Sequence, residues 1–213
     1  RTDNISGTNI NAYANWRDNL HLLSGIGAIT VSGAQNFSAN NLTVITDNIA
    51  LLSTLSGTGD LTIRPSTLTE SIGLAGGAGT LNLTTAELNN ISNGWNNILF
   101  GGSDRTGLIT ANAHTWSDDV TFETASAGSV AGAQAFGAND ATYITNNLAI
   151  NDVVGGTGTL SFRQASASDT IGLAGAAGTL NLSVVELDNI SDGWTQIDIG
   201  RADGTGAILA NAY

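Results

Sequence analysis

This chain is written twice. Ile45–His114 aligns without a gap onto Ile144–Tyr213, 99 residues further on, with 36 identities in 70 positions. The match continues upstream, where Val31–Phe37 returns as Val130–Phe136. With a one-residue slip, Trp16 and Asp18 return as Trp116 and Asp118. A fixed internal period of this kind means a repeat architecture, in which each unit buries its apolar face against its neighbours. It also separates scaffold from chemistry, because a catalytic site is built once whereas a scaffold position recurs in every unit.

Each unit contains brief runs that alternate apolar and polar residues: Ala28–Val31, Leu42–Ile45, Leu61–Arg64, Leu81–Leu83, Leu108–Thr110 and Val120–Phe122. Period-two alternation rich in Thr, Val and Ile marks strands with one buried face. The intervening turns, such as Ser56–Gly59, Ala75–Gly79 and Gly101–Gly107, are rich in Gly, Ser, Asn and Asp. The steps from Leu42 to Leu61 and from Leu61 to Leu81 are 19 and 20 residues, which suits one coil of a parallel β-helix. Antiparallel hairpins would instead place two-residue turns every 8–12 residues or so. The predicted fold is therefore all-β: a right-handed parallel β-helix (β-solenoid) of about ten coils, roughly 45–50 Å long at about 4.8 Å per coil. One continuous solenoid over 1–213 is expected, with repeats at approximately 11–111 and 112–213 and with 1–10 as the tail of a preceding unit. The chain reads as a slice of a longer array.

One segment breaks the rhythm in both units. Thr84-Thr-Ala-Glu87 returns as Ser183-Val-Val-Glu186, each followed by Gly-Trp, at Gly94-Trp95 and Gly193-Trp194. Ser or Thr followed three residues later by Glu is a capping box. A short helix is predicted at 85–92 and 184–191, closed by a left-handed Gly94 or Gly193. Trp95 and Trp194 would then lead into the next strand. Exposed tryptophans could act as glycan platforms, whereas recurrence in pairs points to packing at coil corners or under the helix.

The stretches SIGLAGGAGTLNLTTAELNNISNGWNNILFGGSDRTGLITANA and TIGLAGAAGTLNLSVVELDNISDGWTQIDIGRADGTGAILANA resemble repeats of giant bacterial β-strand-repeat surface exoproteins. These are similar to filamentous-haemagglutinin-type adhesins and autotransporter passengers. The resemblance covers nearly the whole chain. It implies an extracellular or cell-surface rod without enzymatic activity, serving adhesion or matrix building. The partners it implies are neighbouring units or subunits end to end, and glycans or cell surfaces. A self-assembling filament, sheath or surface-layer subunit is the alternative, and a polysaccharide-active β-helix the third.

The residue types limit the chemistry. Six Arg, no Lys and a net charge of −12 cannot neutralise a phosphate backbone, so nucleic acid is not an expected partner. The absence of Cys excludes disulfides and thiolate sites. No apolar run approaches the roughly 18 residues a membrane span requires. His21 and His114 do not recur as histidines. Of the carboxylates, Asp118 and Asp119 form the one adjacent acidic pair, while Glu123, Asp140 and Asp152 are scattered; no catalytic residue is assigned. No cofactor is expected, since the Gly-rich loops around Asp104 and Asp203 offer too few carboxylates for the six to eight oxygens of calcium. Arg64 and Arg163 share one repeat position, with Glu70 and Asp169 six residues on, and surface Arg–carboxylate pairs are predicted there.

Overall fold

The computed structural model describes Thr2–Asp3, Asn9–Ile10 and residues 14–213, with side chains from Trp16 onward. The rest of the tail expected at 1–10, and the unit boundary at 11–13 with Tyr13, lie outside the described residues. The architecture is all-β with parallel sheets. One sheet runs the length of the described chain as a ladder: Thr2–Asp3, Leu20–Val31, Leu42–Leu51, Asp60–Arg64, Asn97–Gly102, Val120–Thr124, Ala141–Ile144, Thr159–Arg163 and Gln196–Ile199. Each strand pairs in parallel with the next. The ladder crosses the repeat boundary without a break, at Ile98↔Val120 through Gly102↔Thr124.

The alternation seen in the sequence sets the core. Leu22, Val44, Ile63, Phe100, Phe122, Tyr143, Phe162 and Ile199 occupy one register column. The rings from Phe100 to Phe162 stack down it, with successive centroids 6.1, 5.0 and 5.7 Å apart. Apart from Ile199 at the last rung, all of these side chains are buried. Burying each contributes roughly 1.5–3 kcal/mol, and no unit could do this without its neighbours.

At the corner after this ladder, buried threonines hold the bend. Thr46 Oγ1 lies 2.7 Å from the Gly27 carbonyl and 2.8 Å from that of Asn48. Thr145 repeats the arrangement on Ser126 and Asn147. The chain then continues onto a second face, where Ile109–Ala111 pairs with Ala127–Val130 and that strand with Asn147–Ile150. A third face is made of two-residue strands such as His114–Thr115, Gln134–Ala135 and Val154–Gly155.

The coils are unequal, which departs from the regular 20-residue step. Asp60–Arg64 and Asn97–Gly102 are adjacent rungs whose starts lie 37 residues apart, as do those of Thr159–Arg163 and Gln196–Ile199. Leu61 pairs with Leu42 as the 19-residue step predicts, but its other neighbour is Ile98; Leu81 lies on the second face. There Leu81–Leu83 returns beside Ile72–Leu74, parallel to it, within one coil. A parallel connection normally needs a dozen or more residues; here 75–80 suffices because backbone lies directly on backbone. A Cβ at Gly73 would sit 2.0 Å from the Gly77 carbonyl, and one at Gly79 would sit 2.1 Å from the Gly73 nitrogen. The Gly-rich runs are thus the tight return of an extra strand. The first-face ladder has nine strands among the described residues.

Candidate functional site

After the extra strand, each unit makes a one-turn helix: α1 (Thr85–Leu88) and α2 (Val184–Asp188). Both have complete capping boxes. Glu87 Oε2 accepts from the Thr84 amide at 2.9 Å and the Thr84 hydroxyl at 2.8 Å, while Thr84 Oγ1 accepts from the Glu87 amide. Ser183 and Glu186 repeat this. The helices stop well short of 92 and 191. Their C-caps are Asn89 and Asn189 in right-handed conformations, so Gly94 and Gly193 do not close them. Ile91 instead leaves the helix to bridge Leu55, and Ile190 to bridge Val154. Gly94 has φ 129 and donates its N–H to Asp118 Oδ1 at 2.6 Å.

The Glu side chain has a second job that sequence reading missed. On the second face Leu42–Leu51 has no ladder partner on the side of Leu81–Leu83. The Leu51 amide donates to Glu87 Oε1 at 3.2 Å, and Asn90 Nδ2 donates to the Leu51 carbonyl at 2.6 Å. In the second unit the Ile150 amide donates to Glu186 Oε1 at 3.3 Å, and Asn189 Nδ2 to the Ile150 carbonyl at 2.7 Å. Each helix therefore sutures the sheet that its own excursion interrupts. The available signal was that Asn90 recurs as Asn189 whereas its neighbour Asn89 changes to Asp188.

Trp95 and Trp194 are packing groups. The six-membered ring of Trp95 lies on Gly57, where a Cβ would come within 2.6 Å, and Trp194 lies likewise on Gly156. Each also packs against a phenylalanine, Phe37 or Phe136, at 6.0 Å. Trp95 is buried and Trp194 half-buried. The other pair is fixed by buried glutamines: Trp16 Nε1 donates to Gln35 Oε1 at 3.0 Å and Trp116 Nε1 to Gln134 Oε1 at 2.9 Å.

The predicted Arg64–Glu70 pair does not form. Arg64 meets Asp104 at 3.4 Å, while Glu70 accepts from the Thr80 hydroxyl. The Gly101–Gly107 loop folds back over Arg64, which period-two reasoning could not place. Arg163 is exposed beside a shallow depression shared with Glu123, Arg201 and Asp203. Asp169 accepts from the Ser166 amide at 3.3 Å. Two other arginines brace the loops. Buried Arg105 donates to the Ser66 carbonyl at 3.1 Å, and Arg201 to the Ala165 carbonyl at 3.0 Å. Burial lowers the Arg105 pKa, against the pull of Asp104.

The carboxylates considered for catalysis are engaged with backbone. Asp118 is buried on the Gly94 amide and the Ser117 hydroxyl. Asp119 accepts the Asp140 amide at 2.8 Å, Asp140 the Thr159 amide at 2.6 Å, and Asp152 the Val153 amide at 2.7 Å. In the first unit Asn19 and Asn41 make the same stitches to Asn41 and Asp60. Burial pushes Glu123 up, Arg201 opposes and Asp104 adds to it. His114 packs edge-on to Trp116 at 4.5 Å, and burial holds its pKa down; His21 is exposed. Among the described residues no three His, Cys, Asp or Glu gather as a metal site, and no helix is long and apolar enough to cross a membrane.

No known family model, curated protein or solved structure matches this chain.

Proposed function

We propose that this chain is a spacer segment of a right-handed parallel β-solenoid in a secreted or cell-surface repeat protein, serving adhesion or extracellular filament building without catalysis. The observation that carries this reading is the ladder that crosses the repeat boundary in continuous register over five residue pairs. A chain joined this way transmits force from coil to coil through parallel hydrogen bonds loaded along its whole cross-section. The recurring polar groups support the same reading: Glu87 and Glu186 suture the sheet, and the Asx side chains at 19, 41, 119 and 140 stitch successive coils. Ligand recognition then falls to lateral faces, with glycans and cell surfaces as the proposed class of partner. A direct test is incubation with acidic and neutral polysaccharides, read by reducing-end release. The spacer reading expects none. Release abolished by Asp118→Asn and Asp119→Asn would replace it with the enzyme reading.

A further inference from the structure

The two units treat one arginine differently. Arg64 and Arg163 follow Ile45 and Ile144 in the same column of the first-face ladder. In the first unit Asp104 meets Arg64 at 3.4 Å. Its counterpart Asp203 turns instead to Arg201, whose Nε and Nη2 donate to it at 2.9 and 3.0 Å. Arg201 stands where the first unit has Gly102. Arg163 is thereby released. It is exposed, and its guanidinium makes no hydrogen bond or ion pair among the described residues.

A second exchange falls in the same column. Leu23 precedes Ile45 in the first unit, and Glu123 precedes Ile144 in the second. Glu123 is half-buried; burial pushes its carboxyl up and Asp104 adds to this, against Arg201 and the Ser103 amide. Ile144 forms an apolar floor between Glu123 and Arg163. The loop over 200–206 is the wall, held on the preceding coil by the Thr205 amide on the Ala167 carbonyl at 2.7 Å and by Arg201 on that of Ala165. The depression they enclose is about 310 Å³, within the roughly 300–1,000 Å³ of small-ligand clefts. It lies on the lateral face, over rungs that have a neighbour on each side. Scaffold positions recur, but Glu123, Arg201 and the released Arg163 come together in the second unit alone, as a group built once does.

The chemistry selects the ligand. One unpaired guanidinium balances one negative charge, and its planar fork fits a carboxylate through two parallel N–H donors. The nitrogens of Arg201 are already engaged by Asp203 and by the carbonyls of Gln164 and Ala165. Glu123, two rungs or roughly 10 Å from Arg163, offers an acceptor to a hydroxyl. A net charge of −12 opposes a phosphate polyanion. We propose that the depression binds one carboxylate-bearing sugar unit of an acidic glycan, with its carboxylate on Arg163, the apolar face of its ring on Ile144 and a hydroxyl on Glu123. This rests on the glycan reading above and gives it a place. The equivalent position in the first unit is closed, by Asp104 on Arg64 and by Leu23 in place of Glu123, so each chain carries one such site.

The probe is trigalacturonate, titrated into the full chain by isothermal titration calorimetry, with galactotriose as the neutral control. One site per chain is expected for the acidic trimer and none for the neutral one. Arg163→Gln should weaken binding about tenfold or more, the loss of a charge-assisted contact. Glu123→Leu, which installs the first-unit residue, should weaken it about threefold or more. Arg64→Gln should leave it unchanged, and circular dichroism checks that each variant is folded. Equal affinity for the two trimers, two sites per chain, or undiminished binding by Arg163→Gln would overturn the proposal. The different failures are distinguishable. Binding that survives Arg163→Gln removes this site and leaves the glycan reading standing; no binding of either trimer removes the site and counts against that reading; reducing-end release overturns the spacer reading and leaves binding at Arg163 to be judged by the titration.

Discussion

The two units perform the same tasks with different residues. In the first, Arg105 reaches the Ser66 carbonyl; in the second, the equivalent carbonyl of Ala165 is met by Arg201, which comes from the opposite side of its loop. Arg105 aligns with Gly204, and Arg201 with Gly102. At the preceding corner Asp47 accepts the amides of Ser66 and Thr67 at 2.8 and 2.9 Å; Asn146 takes its place and accepts only that of Ala165. In the core Ile29 and Val44 become Gly128 and Tyr143. The repeat preserves which backbone group is satisfied and how much volume is filled, and leaves the identity of the side chain free. Where a single group serves two tasks, as Glu87 and Glu186 do, identity is fixed as well.

The core exchange should be the easiest place to break this equivalence. Gly128 and Tyr143 both border a small internal gap of about 10 Å³. Gly128→Ile alone should overpack it against Leu148, and Tyr143→Val alone should leave a cavity, each destabilising by roughly 2–4 kcal/mol. The double variant restores the first-unit solution and should recover at least about 1.5 kcal/mol of the sum, measured by urea denaturation. Simple additivity would show that the two positions are unrelated.

How much of this was legible in the sequence depends on the range of the interaction. Alternation around Leu42, Leu61 and Val120 gave the strands and their inward faces, because it is local. The capping boxes at Thr84 and Ser183 were likewise local. The partner of Arg64 and the reach of Glu87 to Leu51 were not, since they join residues 40 and 36 positions apart; nor was the extra strand at Leu81–Leu83, whose return beside Ile72–Leu74 interrupts the 20-residue step in a way that period and composition do not encode. Gly94 was misassigned because a glycine after a helix reads as a cap whether or not the helix lasts that far.

Next in size is the suture. Glu87→Ala should cost about 1–3 kcal/mol, since it removes a cap and leaves the Leu51 amide without its acceptor. Glu186→Ala should do the same in the second unit at Ile150, and both losses are measurable by thermal melting. A loss confined to one unit would contradict the shared role. The loop arginines come third and should differ. Arg105 is buried, so Arg105→Ala should destabilise by about 1–3 kcal/mol. Arg201 is far more exposed and paired with exposed Asp203, so Arg201→Ala should cost no more than about 1 kcal/mol.

The smallest expected difference is in acid response. Burial alone would raise Asp47, but the hydroxyl and amide of Thr67, the Ser66 amide and Arg105 together hold it below the ordinary carboxylate value. The unfolded chain then binds the proton more readily than the folded one. The stabilisation is present above the unfolded value and fades as pH falls through the folded one. Below about pH 4, hydrogen-exchange protection of the Ser66 amide should drop faster than that of Ala165, whose acceptor Asn146 does not titrate. Asp47→Asn should remove the difference.

The most direct test of a single ladder running through both units is the distance between spin labels at Thr43 and Asp198. These residues are joined rung by rung through Thr62, Leu99, Thr121, Thr142 and Ser161. Six steps of about 4.8 Å give one narrow backbone separation near 29 Å, unchanged by dilution. A broad distribution, or a mean far from that value, would mean that the two units fold apart.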